Sequence, residues 1–219
     1  MMLVCTEMML ALALLAPPPA TESIGLVGTS QGVPVKGILT RSVQADRSLL
    51  STLELTLMPP GQDPIIVRQE THLKSDGQPL RKLQSVVQGT TRTSFAATFD
   101  RRDAQWQGPP GMPAFKAPAP RDTEIRARSD FWFLTERPEV GAKWVYHRFV
   151  TDKGQWEATV VEYKGPVSIK WNGQDVPAHR VVSGDAVADL DDRGMPLQLD
   201  SPQGKLTRAV PELTRAVPE

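Results

Sequence analysis

The sequence predicts a mostly β protein: an antiparallel meander that bends into a curved sheet or half-barrel, with little helix. Three observations carry this. Apolar and polar side chains alternate along successive short runs, the period-2 mark of a half-buried strand. Turn residues separate these runs at a spacing of about ten residues, as in a chain of hairpins. Only Asp130 to Glu136 (DFWFLTE) reads as a short helix.

The strand signals begin at Val33 to Val43, where β-branched residues recur at alternate steps. Just before it, the glycine-rich stretch Gly25 to Gly37 (GLVGTSQGVPVKG) fits no phosphate cradle and reads as turns at strand edges. Leu49 to Met58 alternates clearly, with Leu53, Leu55 and Leu57 on one face and Thr52, Glu54 and Thr56 on the other. Pro59-Pro60-Gly61 ends that run. Ile65 to Leu73 and Leu80 to Gln88 flank Ser75-Asp76-Gly77, and Asp-Gly between two such runs marks a hairpin. Thr91 to Phe99 makes a further strand.

Gln107 to Arg121 then carries Pro109, Pro110, Pro113, Pro118 and Pro120. Proline has no amide donor and cannot continue a ladder, so this segment is expected to be a loop, either a stiff connector or a flap. The second half returns to hairpins. Lys143 to Thr151 and Gln155 to Tyr163 flank Asp152-Lys153-Gly154, and Val167 to Trp171 and Asp175 to Val182 flank Asn172-Gly173. Ala186 to Leu190 and Leu197 to Leu199 flank Asp191-Asp192-Arg193-Gly194, and Ser201-Pro202-Gln203-Gly204 leads into Lys205 to Val210.

The chain has 219 residues, 40% of them hydrophobic, enough for one core without disulfides or metals. The domain reading is a leader over 1–20, a single antiparallel β domain over 21–212 with the proline-rich loop at 107–121, and a duplicated tail over 213–219. The leader reading rests on Met8 to Ala16 (MMLALALLA), too short to span a membrane and long enough for a secretory apolar core. No Lys or Arg precedes it, and Pro17-Pro18-Pro19 makes a poor cleavage motif. Cys5, the single cysteine, lies in this leader, so a mature chain would hold no disulfide or thiolate nucleophile. LTRAVPE occurs at 206–212 and again at 213–219, and the second copy is expected to be disordered. Arginine outnumbers lysine, 16 to 9, and Asn172 is the only asparagine, a bias that suggests a high-GC bacterial genome. These signs point to a periplasmic or secreted bacterial protein.

Composition and motifs argue against several function classes. Basic and acidic residues balance at 25 each, with no basic stripe for nucleic acid. No G-x-S-x-G elbow, P-loop or G-x-G-x-x-G occurs. His72, His147 and His179 each fall in a separate predicted strand, without a second ligand at metal spacing. Asp185, Asp189, Asp191 and Asp192 with Gly194 resemble half of a calcium loop, but the closing glutamate is missing and a hairpin turn explains them better. The reading is therefore of a non-enzyme: no catalytic residues, no metal site, no cofactor.

The aromatics supply the one candidate site. Trp132, Trp144, Trp156 and Trp171 all fall after residue 130. Aromatic residues of this kind pack cores, and they also line apolar ligand grooves. The candidate groove residues are Phe131, Phe133, Trp144, Tyr146 and Trp156.

One resemblance adds to this reading. Pro138-Glu139-Val140-Gly141, Trp144, Gly165, Gly173, His179-Arg180-Val181 and Leu190-Asp191-Asp192-Arg193-Gly194-Met195-Pro196-Leu197 form its pattern, with Glu70, Leu73 and Asp76-Gly77-Gln78-Pro79-Leu80 in the first half. Over 30–210 the chain resembles uncharacterised exported bacterial β-domains, some of which precede transglutaminase-like domains. They resemble in turn the half-barrel carriers of the lipoprotein-localisation type. The resemblance implies a curved sheet with an apolar concave face, and lipid or lipoprotein handling or envelope scaffolding. It implies no activity, because the Cys-His-Asp enzyme part is not among these residues. The functional expectation is an exported β-domain that binds an apolar small molecule or an envelope protein. The alternatives are a structural interaction module without a small ligand, or a hydrolase whose site assembles from distant strands.

Overall fold

The computed structural model describes residues 20–210. The leader up to residue 19, with Cys5, and the second LTRAVPE copy lie outside the described residues. The eight strands of the first half are β1 (Ala20–Ser30), β2 (Val33–Val43), β3 (Leu49–Leu57), β4 (Ile65–Leu73), β5 (Pro79–Gln88), β6 (Thr91–Asp100), β7 (Asp103–Gln107) and β8 (Phe115–Pro118). A 3-10 turn (Arg128–Phe131) runs directly into the short helix α1 (Trp132–Thr135), the one α-helix among the described residues. Six strands follow: β9 (Lys143–Val150), β10 (Gln155–Trp171), β11 (Gln174–Ser183), β12 (Ala186–Leu190), β13 (Pro196–Ser201) and β14 (Gly204–Arg208).

All fourteen strands form one antiparallel sheet in the order β8-β7-β6-β5-β4-β3-β2-β1-β14-β13-β12-β11-β10-β9. Every neighbouring pair is a hairpin except one. β1 pairs with β14, from Leu26 opposite Arg208 to Ser30 opposite Gly204, and this seam joins the two halves. The sheet is not closed: its edges are β8 and β9, adjacent in sequence and unpaired with each other.

The period-2 reading of β3 matches the register. Leu53 opposes Leu39 and Leu57 opposes Val35, so the alternating leucines meet the apolar face of β2. Two local expectations change. Gly25 to Gly37 is not a series of turns; it holds most of β1 and the start of β2, turning only at Gln31 and Gly32. Its glycines permit close strand approach instead. A Cβ on Gly28 would sit 2.0 Å from the Lys205 carbonyl oxygen, and one on Gly37 would sit 2.5 Å from Leu55 Cδ2. Within the proline-rich segment, Phe115–Pro118 forms β8, from Trp106 opposite Phe115 to Asp103 opposite Pro118. Proline fits there because β8 is an edge strand with one side unpaired. In the second half, Gln155–Tyr163 and Val167–Trp171 are one strand, carried through a bulge at Gly165, whose φ of 103° suits glycine.

The free ends overlap instead of pairing. From the β9–β10 hairpin, Phe149 and Trp156 lie against Ala97, Ala104 and Trp106, with Phe95, Phe99 and Ala117 around them. Phe99 contacts Phe149 and Trp156 edge-on, at centroid distances of 5.6 and 5.7 Å. The Trp106 indole donates to the Thr151 carbonyl at 2.7 Å, and the Trp156 indole to the Ala117 carbonyl at 3.0 Å. By strand parity, Phe149 and Trp156 face away from Tyr146 and Val161, so the β9–β10 end tucks inside the β6–β8 end as in a spiral.

The connector between β8 and β9 crosses the interior. The Ala127 amide donates to the Gly77 carbonyl at 2.8 Å, and the His147 amide of edge strand β9 donates to the Glu124 carbonyl at 2.7 Å. Ala127 and Phe131 bury themselves against Leu49 and Leu73. A smaller apolar cluster of Ile169, Ala178 and Leu197 anchors the β10–β11 hairpin, whose Trp171 donates to the Arg208 carbonyl at 2.9 Å.

Candidate ligand cavity

The curl of the sheet and the crossing connector enclose a cavity of about 420 Å³. Its apolar wall comes from both halves: Leu39, Leu49 and Leu73 from β2 to β4, and Val161, Val181 and Leu190 from β10 to β12. Alternation explains why they converge. Val161 opposes Ser183 and Val181 opposes Tyr163, so both point to the concave side, as do Leu39 and Leu53 across β2 and β3.

Charged groups share this lumen. Arg41, Lys82, Asp130 and Arg148 all line it. Lys82 Nζ donates to the Phe149 carbonyl at 3.0 Å, and the Arg41 guanidinium donates to the Arg193 and Gly194 carbonyls, the latter at 3.3 Å. Among the described residues Asp130 makes no ion pair within 4.0 Å. Asp130 is set deep among protein atoms, although its side chain remains exposed to solvent. That burial pushes its carboxyl up to about 6, against the pull of Lys82 and Arg41. Burial likewise brings Lys82 down to about 8, a shift that Asp130 opposes and Arg148 reinforces. Burial, then Asp130, raises the Tyr146 phenol. Burial also lowers Arg41, against Glu22, Asp191 and Asp130.

The five candidate aromatics divide. Phe133 and Tyr146 line the cavity, and Trp156 borders it from the opposite face of β10, packed against Phe99 and Phe149. Phe131 is 4% exposed and fills the core against Leu49 and Leu73. Trp144 lies elsewhere: its indole donates to the Arg126 carbonyl at 2.8 Å, and the Arg128 guanidinium sits 5.0 Å from its ring centroid. The sequence reading missed Arg41, Lys82 and Asp130. Arg41 had a usable signal, since it interrupts the inward series Leu39-Arg41-Val43. Lys82 had none, because a register shift between His72 and Leu73 reverses the phase of β5.

His147 borders the cavity, whereas His72, His179, Asp189, Asp191 and Asp192 have other partners. His72 Nε2 is 3.2 Å from Ser48 Oγ. Tyr163 Oη lies 2.7 Å from His179 Nδ1, and His179 Nε2 lies 2.9 Å from Asp192 Oδ1. Phe133 sits over this chain, its ring 5.0 Å from the His179 ring. Asp189, 1% exposed, takes two hydrogen bonds from Arg180. Asp191 accepts from the Arg193 and Met195 amides and from Arg208. Each of these three carboxylates thus has its own protein donor, as a hairpin turn requires.

Among the described residues, no helix is long and apolar enough to cross a membrane. No family model matches the chain, and no curated protein matches it. Among solved structures it is similar to the crystal structure of a beta-barrel-like protein of a domain of unknown function, DUF1849, from Brucella abortus. The likeness has a TM-score of 0.50 and 11% sequence identity, and covers 87% of this chain and 94% of that one. It concerns the fold alone, which is β-barrel-like. The match names neither a transglutaminase-like neighbour nor a lipoprotein carrier.

Proposed function

We propose that this chain is a non-catalytic, exported β-domain of the bacterial envelope that takes an apolar ligand into the lumen of its curled sheet. The supporting observation is the cavity itself. It holds about 420 Å³, within the roughly 300–1,000 Å³ of small-molecule sites, and its wall is largely aliphatic and aromatic. The export part of the reading rests on the apolar run Met8 to Ala16 and the absence of cysteine after Cys5.

Mass spectrometry of lipids that co-purify with the full chain tests this, together with titration of Trp fluorescence by alkyl probes. Trp156 borders the cavity and reports its occupation. A bound apolar species, or a saturable fluorescence change, is the expected result. Protein that carries no lipid and ignores every probe overturns the reading.

A second reading, an envelope interaction module, has an observation of its own. Val145 and Val160 oppose each other beside the β9 edge and are 58% and 45% exposed. An unpaired edge flanked by apolar side chains can add a partner strand.

A further inference from the structure

We infer that the ligand is a single-chain amphiphile with an anionic head, a carboxylate or phosphate monoester, seated with its head at Lys82 and Arg148 and its chain along the apolar wall of the lumen. This rests on the proposed function above and narrows its ligand.

Three features of the cavity carry the inference. The first is charge. Lys82, Arg148 and Arg41 line it against one carboxylate, Asp130. Arg41 is balanced by Glu22 and Asp191 as well, and it is occupied by two backbone carbonyls. Lys82 has Asp130 as its one counter-charge and Arg148 as a second cation beside it, while Arg148 also faces Glu157 across the β9–β10 pair, so the excess of positive charge collects at Lys82. Two neighbouring cations, Lys82 half-buried and Arg148 exposed, favour an incoming anion between them. Lys82 can also turn more than one donor toward it, since an ammonium has three and one is used on the Phe149 carbonyl.

The second feature is the placement of apolar and charged walls. Leu39 comes from β2, three strands from the β5 that brings Lys82, and Leu190 from β12, three strands from the β9 that brings Arg148. A ligand that satisfies both walls has one charged end and one apolar body. A neutral hydrocarbon leaves the cations without an anion; a small anion leaves the apolar wall wet.

The third is size. A methylene group is close to a water molecule in bulk, so at roughly 30 Å³ each the cavity holds about fourteen such groups. That is one medium alkyl chain, not the two of a diacyl lipid.

Calorimetric titration of the full chain with tetradecanoate, tetradecyl phosphate, tetradecan-1-ol, tetradecyltrimethylammonium and inorganic phosphate tests this. At least one of the two anionic chain probes should bind about tenfold more tightly than the alcohol, the scale of one charge-assisted hydrogen bond, and the cationic probe should bind least. Which anion wins distinguishes a fatty-acid-like ligand from a phosphate monoester. Lys82→Met should erase most of that preference, while Lys82→Arg should keep it. Equal binding of alcohol, anions and cation overturns the anionic head and leaves an apolar ligand standing. Inorganic phosphate binding as tightly as tetradecyl phosphate overturns the amphiphile. If no chain probe binds, the inference and the proposed function fall together. The probe series on the unmodified protein decides the matter even where a Lys82 variant does not fold.

Discussion

The Trp106 indole nitrogen lies 2.7 Å from the Thr151 carbonyl oxygen, joining the two ends of a sheet whose edge strands never pair. Trp106 is 6% exposed and Thr151 is also 6% exposed, so this bond is made out of contact with water. It holds one end of the spiral against the other where a closed barrel would use a ladder.

Trp106→Phe keeps the ring and removes the donor. The loss should be about 1–3 kcal/mol, because the Thr151 carbonyl is left buried without its partner. Trp106→Ala should lose about 3–5 kcal/mol, since it also empties the contact with Phe95 and Phe115. Urea unfolding midpoints at constant m-value measure both. Equal stability of Trp106→Phe and the parent chain would show that the overlap does not need the bond.

Gly28→Ala tests the seam between β1 and β14. The added methyl would meet backbone at 2.0 Å, so strands must part rather than a side chain rotate. The expected cost is at least about 1–3 kcal/mol, the range of overpacked cores. Thermal unfolding followed by far-UV circular dichroism would show it.

Asp130 gives the protein a stability that falls as pH rises. Its carboxyl titrates near 6 in the folded state and at 3.8 in its ordinary range, so the folded protein holds the extra proton between those values. Stability contributed by this group is therefore present below pH 4 and lost as pH climbs through 6. Lys82 and Arg41 line the same lumen and moderate the effect. Asp130→Asn should raise the melting temperature at pH 7–8 and change little at pH 4. A variant less stable than the parent at pH 8 would count against the raised carboxyl of Asp130.

Glu124 works in the opposite sense. Arg126 side-chain hydrogen bonds, then the Arg126 and Ile125 amides, hold its carboxyl down to about 2, against 4.5 ordinarily. Its stabilising contribution is present above pH 4.5 and disappears as pH falls toward 2. Glu124→Gln should flatten the acid limb of a stability–pH curve. The carbonyl of the same residue holds the β9 edge, so proteolysis of the 119–142 connector should quicken in the variant.

Much of the sheet was legible because alternation and turns are local. Leu53, Leu55 and Leu57 declare one face without help from any distant strand, and Asp76-Gly77 and Asn172-Gly173 turn the chain where they should. The cavity was less so. Tyr146 and Phe133 were found as aromatics and do line it, whereas Trp144, of the same composition and neighbourhood, bonds the connector outside it. Nothing in the local pattern separates Trp144 from Tyr146, which share one face of β9, since the difference is where along the strand the crossing connector lies. Lys82 was hidden by a bulge, and Asp130 by lying in a turn that only the tertiary fold carries into the lumen.

By itself, then, the sequence determined the strands, their turns and the inward faces of the long runs, because side-chain direction in a strand reverses at every residue and needs only nearest neighbours. Tertiary structure alone decided that β1 meets β14, that Phe149 and Trp156 slide under β6 to β8, and that charges gather inside an apolar curl. Those outcomes depend on twist and bulges accumulated over fourteen strands, and a small rotation at each step settles whether two distant edges pair, miss or overlap.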